Sequence, residues 1–202
     1  MDTSAMTKKE LKEYQKQLKR EEAIRKIDRN MHRDVAHDEG GATFCGAIIT
    51  EQETIISNVG DSRAYTYRRG NKGTQLEQLT HDDNVAFRRY ERGMIGKEDV
   101  RFEADSNVIT QHMGGVLPAQ PKSTIIPNSS YECLMLMSDG VSDCLYDAEI
   151  KVITENTPRE KLAQMLVRAA NARDCLNRDG SKRIKAGKDN STVAVYDKTD
   201  ER

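Results

Sequence analysis

Two acidic turns hold the residues best suited to chemistry. Asp139 lies in Ser-Asp-Gly directly after an apolar run, and Asp189 lies in Asp-Asn-Ser directly before a β-rich run. Small residues beside each carboxylate let a ligand approach the backbone. Carboxylates at strand ends, without a cluster of Cys or His, suit hard cations such as Mg²⁺ or Mn²⁺. Either turn alone is weak evidence, because Asp-Gly and Asp-Asn are ordinary turn dipeptides.

The two turns belong to an ordered set of four motifs. The set is N-V-G-D-S-R-A at 58–64, L-T-H-D-D at 79–83, S-D-G-V-S-D at 138–143 and K-D-N-S-T-V at 188–193. This order resembles the type 2C protein serine/threonine phosphatases, whose chains carry N-V-G-D-S-R-A, L-T-x-D-H, S-D-G-x-x-D and D-N-x-T-V. The residues between 92 and 110, called the flap segment below, look like the flap of the bacterial branch of that family. The resemblance covers about residues 41–196.

The resemblance implies an activity and a set of metal ligands. It implies a phosphatase that uses Mg²⁺ or Mn²⁺ to hydrolyse phosphoserine or phosphothreonine in a phosphorylated protein substrate. Family members hold one metal with the Asp of S-D-G and the Asp of D-N, which correspond to Asp139 and Asp189. A third, weaker site would combine Asp139 with Asp82 and Asp143. Two cations about 3.5 to 4 Å apart activate a bridging water, so we assign no catalytic residue beyond the metal ligands.

The sequence also departs from the family pattern. The family's opening segment supplies a phosphate-binding Arg, an acidic pair and a D-G-H-G motif whose Asp bridges both metals, and this sequence contains none of them. Asp139 and Asp189 alone should bind a cation poorly, because few charged ligands oppose its dehydration. Asp34, Asp38 and Glu39, beside His37, are candidates for the missing carboxylate. The alternative is that these residues form a polar linker.

Three hypotheses about function therefore stay open. The chain is a metal-dependent type 2C phosphatase, or a non-catalytic pseudophosphatase that binds partners or regulates. The third hypothesis is a fragment whose N-terminal part lies upstream or on another polypeptide. Such a fragment would expose a sheet edge, which invites self-association.

Sequence periodicity predicts the elements that position the motifs. Thr7 and Glu10 form a capping box for a long charged helix, and the apolar run at 133–137 predicts a buried strand that ends at Asp139. The Ile doublets at 48–49 and 55–56 predict strands covered on both faces. We predict helices at 7–35, 84–94, 147–156 and 158–176, and strands at 42–50, 54–59, 63–69, 76–80, 123–126, 133–137 and 192–196.

This order of elements predicts an α+β fold. Two packed, largely antiparallel sheets are flanked by helices in a type 2C phosphatase-like sandwich that lacks the family's first strands. We divide the chain into a charged helix and linker at 1–40, a partial phosphatase-like domain at 41–197 and a tail at 198–202. The first helix either packs on the sheet or pairs with another chain.

Composition excludes several classes of protein. The formal net charge of −1 gives no overall attraction to nucleic acid. The mean hydropathy is −0.78, and no apolar stretch approaches the roughly 18 residues that a membrane span needs. The Lys- and Glu-rich N-terminus lacks the apolar run of a secretory signal. We therefore expect a cytoplasmic protein with no membrane contact and with reduced core thiols at its four cysteines.

Several other polar residues are given structural roles. Asp61 and Arg63 are expected to form a structural turn with a buried ion pair or a cap. His81 and His112 have no partner at metal-ligand spacing, so surface or flap positions are expected. The region from the polar helix at 84–94 through the charged turn that ends at Arg101 is expected to be mobile and exposed.

Overall fold

Two antiparallel sheets form the centre of the fold. The computed structural model describes residues 6–34, 41–70, 73–115, 117–173 and 189–198. Within them, the strands are β1 (Phe44–Ile49), β2 (Glu53–Val59), β3 (Arg63–Gly70), β4 (Gly73–Gln78), β5 (Lys122–Pro127), β6 (Cys133–Met137) and β7 (Val193–Asp197). One sheet has the order β1-β2-β5 and the other has the order β4-β3-β6-β7, with every pair antiparallel. The predicted fold class is confirmed.

Helices complete the fold at its surface. They are α1 (Lys8–Asp34), α2 (Val85–Glu91), α3 (Asp139–Ser142), α4 (Asp147–Asn156) and α5 (Arg159–Ala172), with a 3-10 helix at Lys97–Phe102 and another at Asn128–Ser130. None of the helices in the described parts of the chain is long and apolar enough to span a membrane.

The four-stranded sheet has two covered faces because side chains alternate along each strand. On β6, Leu134 and Leu136 face the other sheet and pack in a core that includes Ile56 of β2. Met135 and Met137 point the opposite way, into a core built with α3, α4 and α5. The apolar run of β6 is therefore continuous, as expected of a strand buried on both sides.

The first helix begins at the predicted capping box. The Thr7 backbone N–H donates to Oε2 of Glu10 at 2.7 Å, and the Glu10 backbone N–H donates to Oγ1 of Thr7 at 3.3 Å. The helix contacts β5, so it docks on the three-stranded sheet of its own chain. Self-association through this helix, and the domain bounds at 1–40, 41–197 and 198–202, stay predictions.

Some expectations about the elements are wrong. The segment at 84–94 is not simply exposed, because Ala86 and Phe87 of α2 are buried against Val100 of the 3-10 helix.

The doublet of Ile48 and Ile49 is exposed, since β1 forms an edge of its sheet, whereas both isoleucines of the β2 doublet are buried. The last helix ends at Ala172 rather than 176, because the next residue is extended. Strand β4 runs over Gly73–Gln78 instead of 76–80.

The described cysteines agree with the sequence analysis. Cys133 and Cys144 are buried free thiols, and Cys45 is a half-buried free thiol. Burial raises the pKa of both Cys45 and Cys133 to about 12, so these thiols stay protonated and unreactive. Cys175 lies outside the described residues.

Candidate metal centre

The strand register brings the four sequence motifs to one end of the sandwich. Arg63 at the start of β3 pairs with Met137 at the end of β6, and Met137 pairs with Val193 at the start of β7. The β2–β3 turn, which contains Asp61, leads into the same end of β3. The segment after β4, which contains Asp82, leaves the sheet there too, because β4 runs antiparallel to β3. Acidic turns that lie far apart in sequence thus become neighbours.

The turns that follow β6 and precede β7 are in direct contact. The Thr192 backbone N–H donates to Oγ of Ser138 at 3.0 Å, and this hydroxyl donates to the Asn190 carbonyl oxygen at 3.0 Å. Gly140 allows the close approach, since a Cβ at this position would lie 2.7 Å from the Asn190 carbonyl oxygen. The structure therefore brings the Asp139 turn and the Asp189 turn together.

The two predicted ligands of this pair are each oriented by the next residue of the chain. The Gly140 backbone N–H donates to Oδ1 of Asp139 at 2.9 Å, and the Asn190 backbone N–H donates to Oδ1 of Asp189 at 2.8 Å. Asp139 is half-buried and Asp189 is exposed. Both carboxylates are thus held at the accessible end of the sandwich, where a cation could reach them.

Asp61 is a member of this acidic group that sequence reasoning assigned to a purely structural turn. Its side chain is buried, and burial together with the charges of Asp139, Asp143 and Asp82 raises its pKa to about 7. The carboxylates of Asp139, Asp143 and Asp82 therefore lie close enough to Asp61 to disfavour its negative charge. The available signal was its place in the N-V-G-D-S-R-A motif, as a lone carboxylate between two strands.

Asp82 is bound by a guanidinium group. Arg63 Nε donates to both oxygens of Asp82 at 3.0 Å, Arg63 Nη2 donates to Oδ2 at 2.6 Å, and Gln78 Nε2 donates to Oδ1 at 3.2 Å. The buried ion pair predicted for the Asp61–Arg63 motif exists, and the carboxylate partner of Arg63 is Asp82. As a metal ligand, the role predicted for it, Asp82 would have to share its oxygens with these donors or exchange them for the cation.

Asp83 is a second buried carboxylate that the sequence analysis did not single out. Oδ2 accepts from the Gly60 backbone N–H at 3.0 Å and from Gln111 Nε2 at 2.9 Å, while Oδ1 accepts from Lys122 Nζ at 2.7 Å. Its carbonyl oxygen accepts from the Thr110 backbone N–H at 2.6 Å. Asp83 therefore ties the β2–β3 turn to the end of the flap segment and to β5.

Comparison with known proteins agrees with this geometry. The sequence profile of the protein phosphatase 2C family matches residues 3–179, which is most of the chain. The chain belongs to the protein phosphatase 2C family. Its match to "Serine/threonine phosphatase stp" of Listeria innocua is 27% identical over 160 residues, covering 78% of this chain and 57% of the relative. The chain thus spans just over half the length of that curated relative.

Solved structures of family members share the fold. Serine/threonine phosphatase Stp1 from Staphylococcus aureus superposes with a TM-score of 0.72 at 25% identity, covering 90% of this chain and 67% of that one. The catalytic domain of the phosphatase PstP, solved with two manganese ions, superposes with a TM-score of 0.65 at 24% identity. It covers 89% of this chain and 70% of that one, and shows likeness of fold alone.

The acidic side chains at this end of the chain offer oxygen donors. Asp139, Asp143 and Asp189 offer carboxylate oxygens, which suit Mg²⁺ or Mn²⁺. Within the described residues, however, no group of three or more His, Cys, Asp or Glu side chains is arranged to hold a metal ion. Asp139, Asp143 and Asp189 therefore suit such a cation chemically, but they would supply only some of its ligands.

The remaining candidates from the sequence lie elsewhere. The side chain of Asp34 and the segment 37–39 lie outside the described residues. His81 is an exposed side chain whose Nδ1 lies 3.0 Å from Oε1 of Glu91. His112 Nδ1 lies 3.3 Å from the Met113 carbonyl oxygen. His81 thus occupies a surface position, as expected, whereas His112 is half-buried and lies just beyond the flap segment.

Proposed function

We propose that this chain supplies the Asp139 and Asp189 part of the metal centre of a phosphoprotein phosphatase that hydrolyses phosphoserine or phosphothreonine. The observation that carries the proposal is the contact between the two acidic turns at the end of β6 and β7. The curated relative and the solved structures are named as serine/threonine phosphatases, which supports the activity, and the manganese ions of the PstP structure support the metal. Either Mg²⁺ or Mn²⁺ suits the donors.

The chain's own residues prepare the end of the sandwich for a cation. Ser138 holds the two turns together, and the amides after Asp139 and Asp189 orient their carboxylates. The crowded negative charge around Asp61 attracts a divalent cation, which relieves the repulsion between the carboxylates. When bound, the metal supplies an activated water and neutralises phosphoryl oxygens during in-line attack.

A cleft beside this end suits a phosphorylated polypeptide. Its volume is about 690 Å³, and Asp83 in its wall connects it to the β2–β3 turn. Its basic side chains can attract the phosphate group and acidic residues of a substrate. They are Arg25, Arg88 and Lys122, with His112 nearby in the lining.

The test is release of phosphate from a phosphoserine peptide in the presence of Mn²⁺. We expect turnover that Asp139→Asn abolishes and that Glu51→Gln leaves unchanged. Glu51 is a suitable control because it is an exposed carboxylate in the β1–β2 turn, at the opposite end of β2 from Asp61. If the chain releases phosphate no faster than Asp139→Asn does, it is not an enzyme that is active by itself.

The second candidate is a non-catalytic binding module on the same scaffold. The Arg63–Asp82 pair favours it, because the guanidinium group engages one of the four predicted ligands. Calorimetry with Mn²⁺ separates the candidates, since micromolar binding lost in Asp139→Asn supports the phosphatase and absence of a tight site supports the module. Turnover that appears only after a polypeptide with D-G-H-G is added would identify a part of a larger enzyme.

A further inference from the structure

Asp82 and the flap segment are joined by a chain of polar groups that is buried at Asp82 and half-buried at its outer end. We infer that Asp82 serves Arg63 rather than a cation, and that this pair anchors the flap segment through Tyr65 and Asp147. The inference concerns residues beside the proposed metal centre, and its main test needs neither metal nor catalysis.

Both oxygens of the Asp82 carboxylate accept hydrogen bonds from protein side chains. A carboxylate offers about four lone-pair positions. Oδ1 accepts from Arg63 Nε and Gln78 Nε2, and Oδ2 accepts from Arg63 Nε and Nη2. The single Nε–H of Arg63 is shared between the two oxygens, so three N–H groups engage the carboxylate. A cation that bound through either oxygen would have to compete with these donors.

The burial of both side chains opposes displacement of Arg63 by a cation. The side chains of Asp82 and Arg63 are 1% and 10% exposed, so an Arg63 displaced by a cation would have to carry its charge out of a buried position. A buried charge that loses its partner is strongly destabilising. The bidentate geometry also suits guanidinium, whose planar fork matches a carboxylate. Arg63 thus supplies the positive charge that a third metal would otherwise bring.

The pair continues outward along the face of the four-stranded sheet that packs on the helices. Arg63 Nη1 donates to the Tyr65 hydroxyl at 3.4 Å, and this hydroxyl donates to Oδ1 of Asp147 at 3.0 Å. Lys97 Nζ donates to Oδ2 of Asp147 at 2.6 Å. Charges of alternating sign therefore run from the acidic end of the sandwich to the start of α4 and on to the flap segment.

The pKa of Asp147 agrees with this arrangement. Burial acts to raise the pKa of Asp147, but the Lys97 ammonium group and the Tyr65 hydroxyl outweigh it and lower the pKa. Asp147 therefore stays ionised near neutral pH and holds Lys97, the first residue of the 3-10 helix Lys97–Phe102.

The chain of Arg63, Tyr65, Asp147 and Lys97 is called the relay below. A second contact to the same 3-10 helix limits how much the relay can contribute to anchoring it. Arg101 of the same 3-10 helix stacks over the Tyr146 ring at 3.8 Å and donates to the Leu145 carbonyl oxygen at 3.4 Å. Loss of the relay should therefore loosen the Lys97 end of this helix without detaching it.

Tyr65→Phe is the sharpest variant, because it removes only the hydroxyl that links Arg63 to Asp147. Tyr67→Phe is its matched control. Tyr67 is equally buried, two residues along the same face of β3, and its hydroxyl accepts from Arg69 outside the relay. In metal-free buffer we expect backbone amides of 97–102 to exchange about 5- to 10-fold faster in Tyr65→Phe than in Tyr67→Phe. Amides of β2 should be equally protected in both variants.

A manganese titration tests the role of Asp82. The double variant Arg63→Gln with Asp82→Asn leaves the net charge unchanged, and we expect its Mn²⁺ affinity to match the parent within about twofold. Arg63→Gln alone frees Asp82, so it should bind Mn²⁺ more tightly or in greater amount.

Each arm can overturn the inference. Equal exchange at 97–102 in Tyr65→Phe and Tyr67→Phe would show that the relay does not anchor the flap segment. Weaker Mn²⁺ binding by the charge-neutral double variant would show that Asp82 is a ligand. If the parent chain binds no Mn²⁺, the proposed function fails, while the exchange experiment still decides the anchoring role.

Discussion

Gly140 and Asn190 approach each other so closely that no side chain fits between them. A Cβ on Gly140 would lie 2.7 Å from the Asn190 carbonyl oxygen and 3.1 Å from its carbonyl carbon. The obstacle is backbone, which cannot turn away as a flexible side chain could. This approach joins the turns of Asp139 and Asp189, so the small residue of S-D-G has a structural purpose.

Gly140→Ala should therefore destabilise the protein and disturb the turns that contain Asp139 and Asp189. Overpacking at a rigid contact costs about 1 to 3 kcal/mol, which urea unfolding can measure. Gly70→Ala is the control, because its nearest neighbour would be the Gly73 carbonyl oxygen at 3.4 Å. Equal unfolding free energies for the two variants would contradict the close approach.

Asp61 should make stability depend on pH. Burial and the neighbouring carboxylates raise its pKa from 3.8 to about 7, so the folded state binds this proton more tightly than the unfolded state does. The resulting stabilisation is complete below the unfolded pKa and is lost as the pH rises through about 7. Without metal, the melting temperature should fall between about pH 5 and pH 8 by less in Asp61→Asn than in the parent. The same fall in both proteins would argue against a raised pKa.

Mn²⁺ should stabilise the chain through its acidic turns. A ligand that binds only the folded state raises the melting temperature by an amount that grows with the logarithm of its concentration above Kd. We expect Mn²⁺ at millimolar concentration to raise the melting temperature of the parent and of Glu51→Gln. The rise should be absent in Asp139→Asn and reduced in Asp189→Asn, as thermal unfolding at two metal concentrations can show. An undiminished rise in Asp139→Asn would place the cation elsewhere.

Asp83→Asn should destabilise the protein by about 1 to 3 kcal/mol, because it weakens buried bonds to a charged acceptor. Its side chain is 1% exposed and is held by Lys122, Gln111 and the Gly60 backbone. Asp105→Asn is the control. Its ion pair with Arg89 is more exposed, so its loss should cost less than about 1 kcal/mol. Denaturant titration of both variants makes the comparison, and a larger loss in Asp105→Asn would refute it.

Local pattern predicted much of the fold. The uninterrupted apolar run of β6 identified a strand buried on both faces, and its bounds, Cys133–Met137, agree with the structure. Thr7 and Glu10 located the start of α1 through their capping bonds. Such features depend on residues a few positions apart, so sequence periodicity is sufficient to find them. Periodicity could not predict that Ile48 and Ile49 are exposed, because their exposure depends on which strand forms the sheet edge.

The site divides along the same line. The sequence by itself determined the family, through the order of its four motifs, and it predicted Asp139 and Asp189 as metal ligands. Only the tertiary structure decided that Arg63 engages Asp82 and that Asp61 lies among the acidic turns. The reason is physical: the pairing of β3 with β4 and β6 sets which distant side chains meet at the end of the sandwich. Electrostatic contacts follow that register, and motif spacing does not encode it.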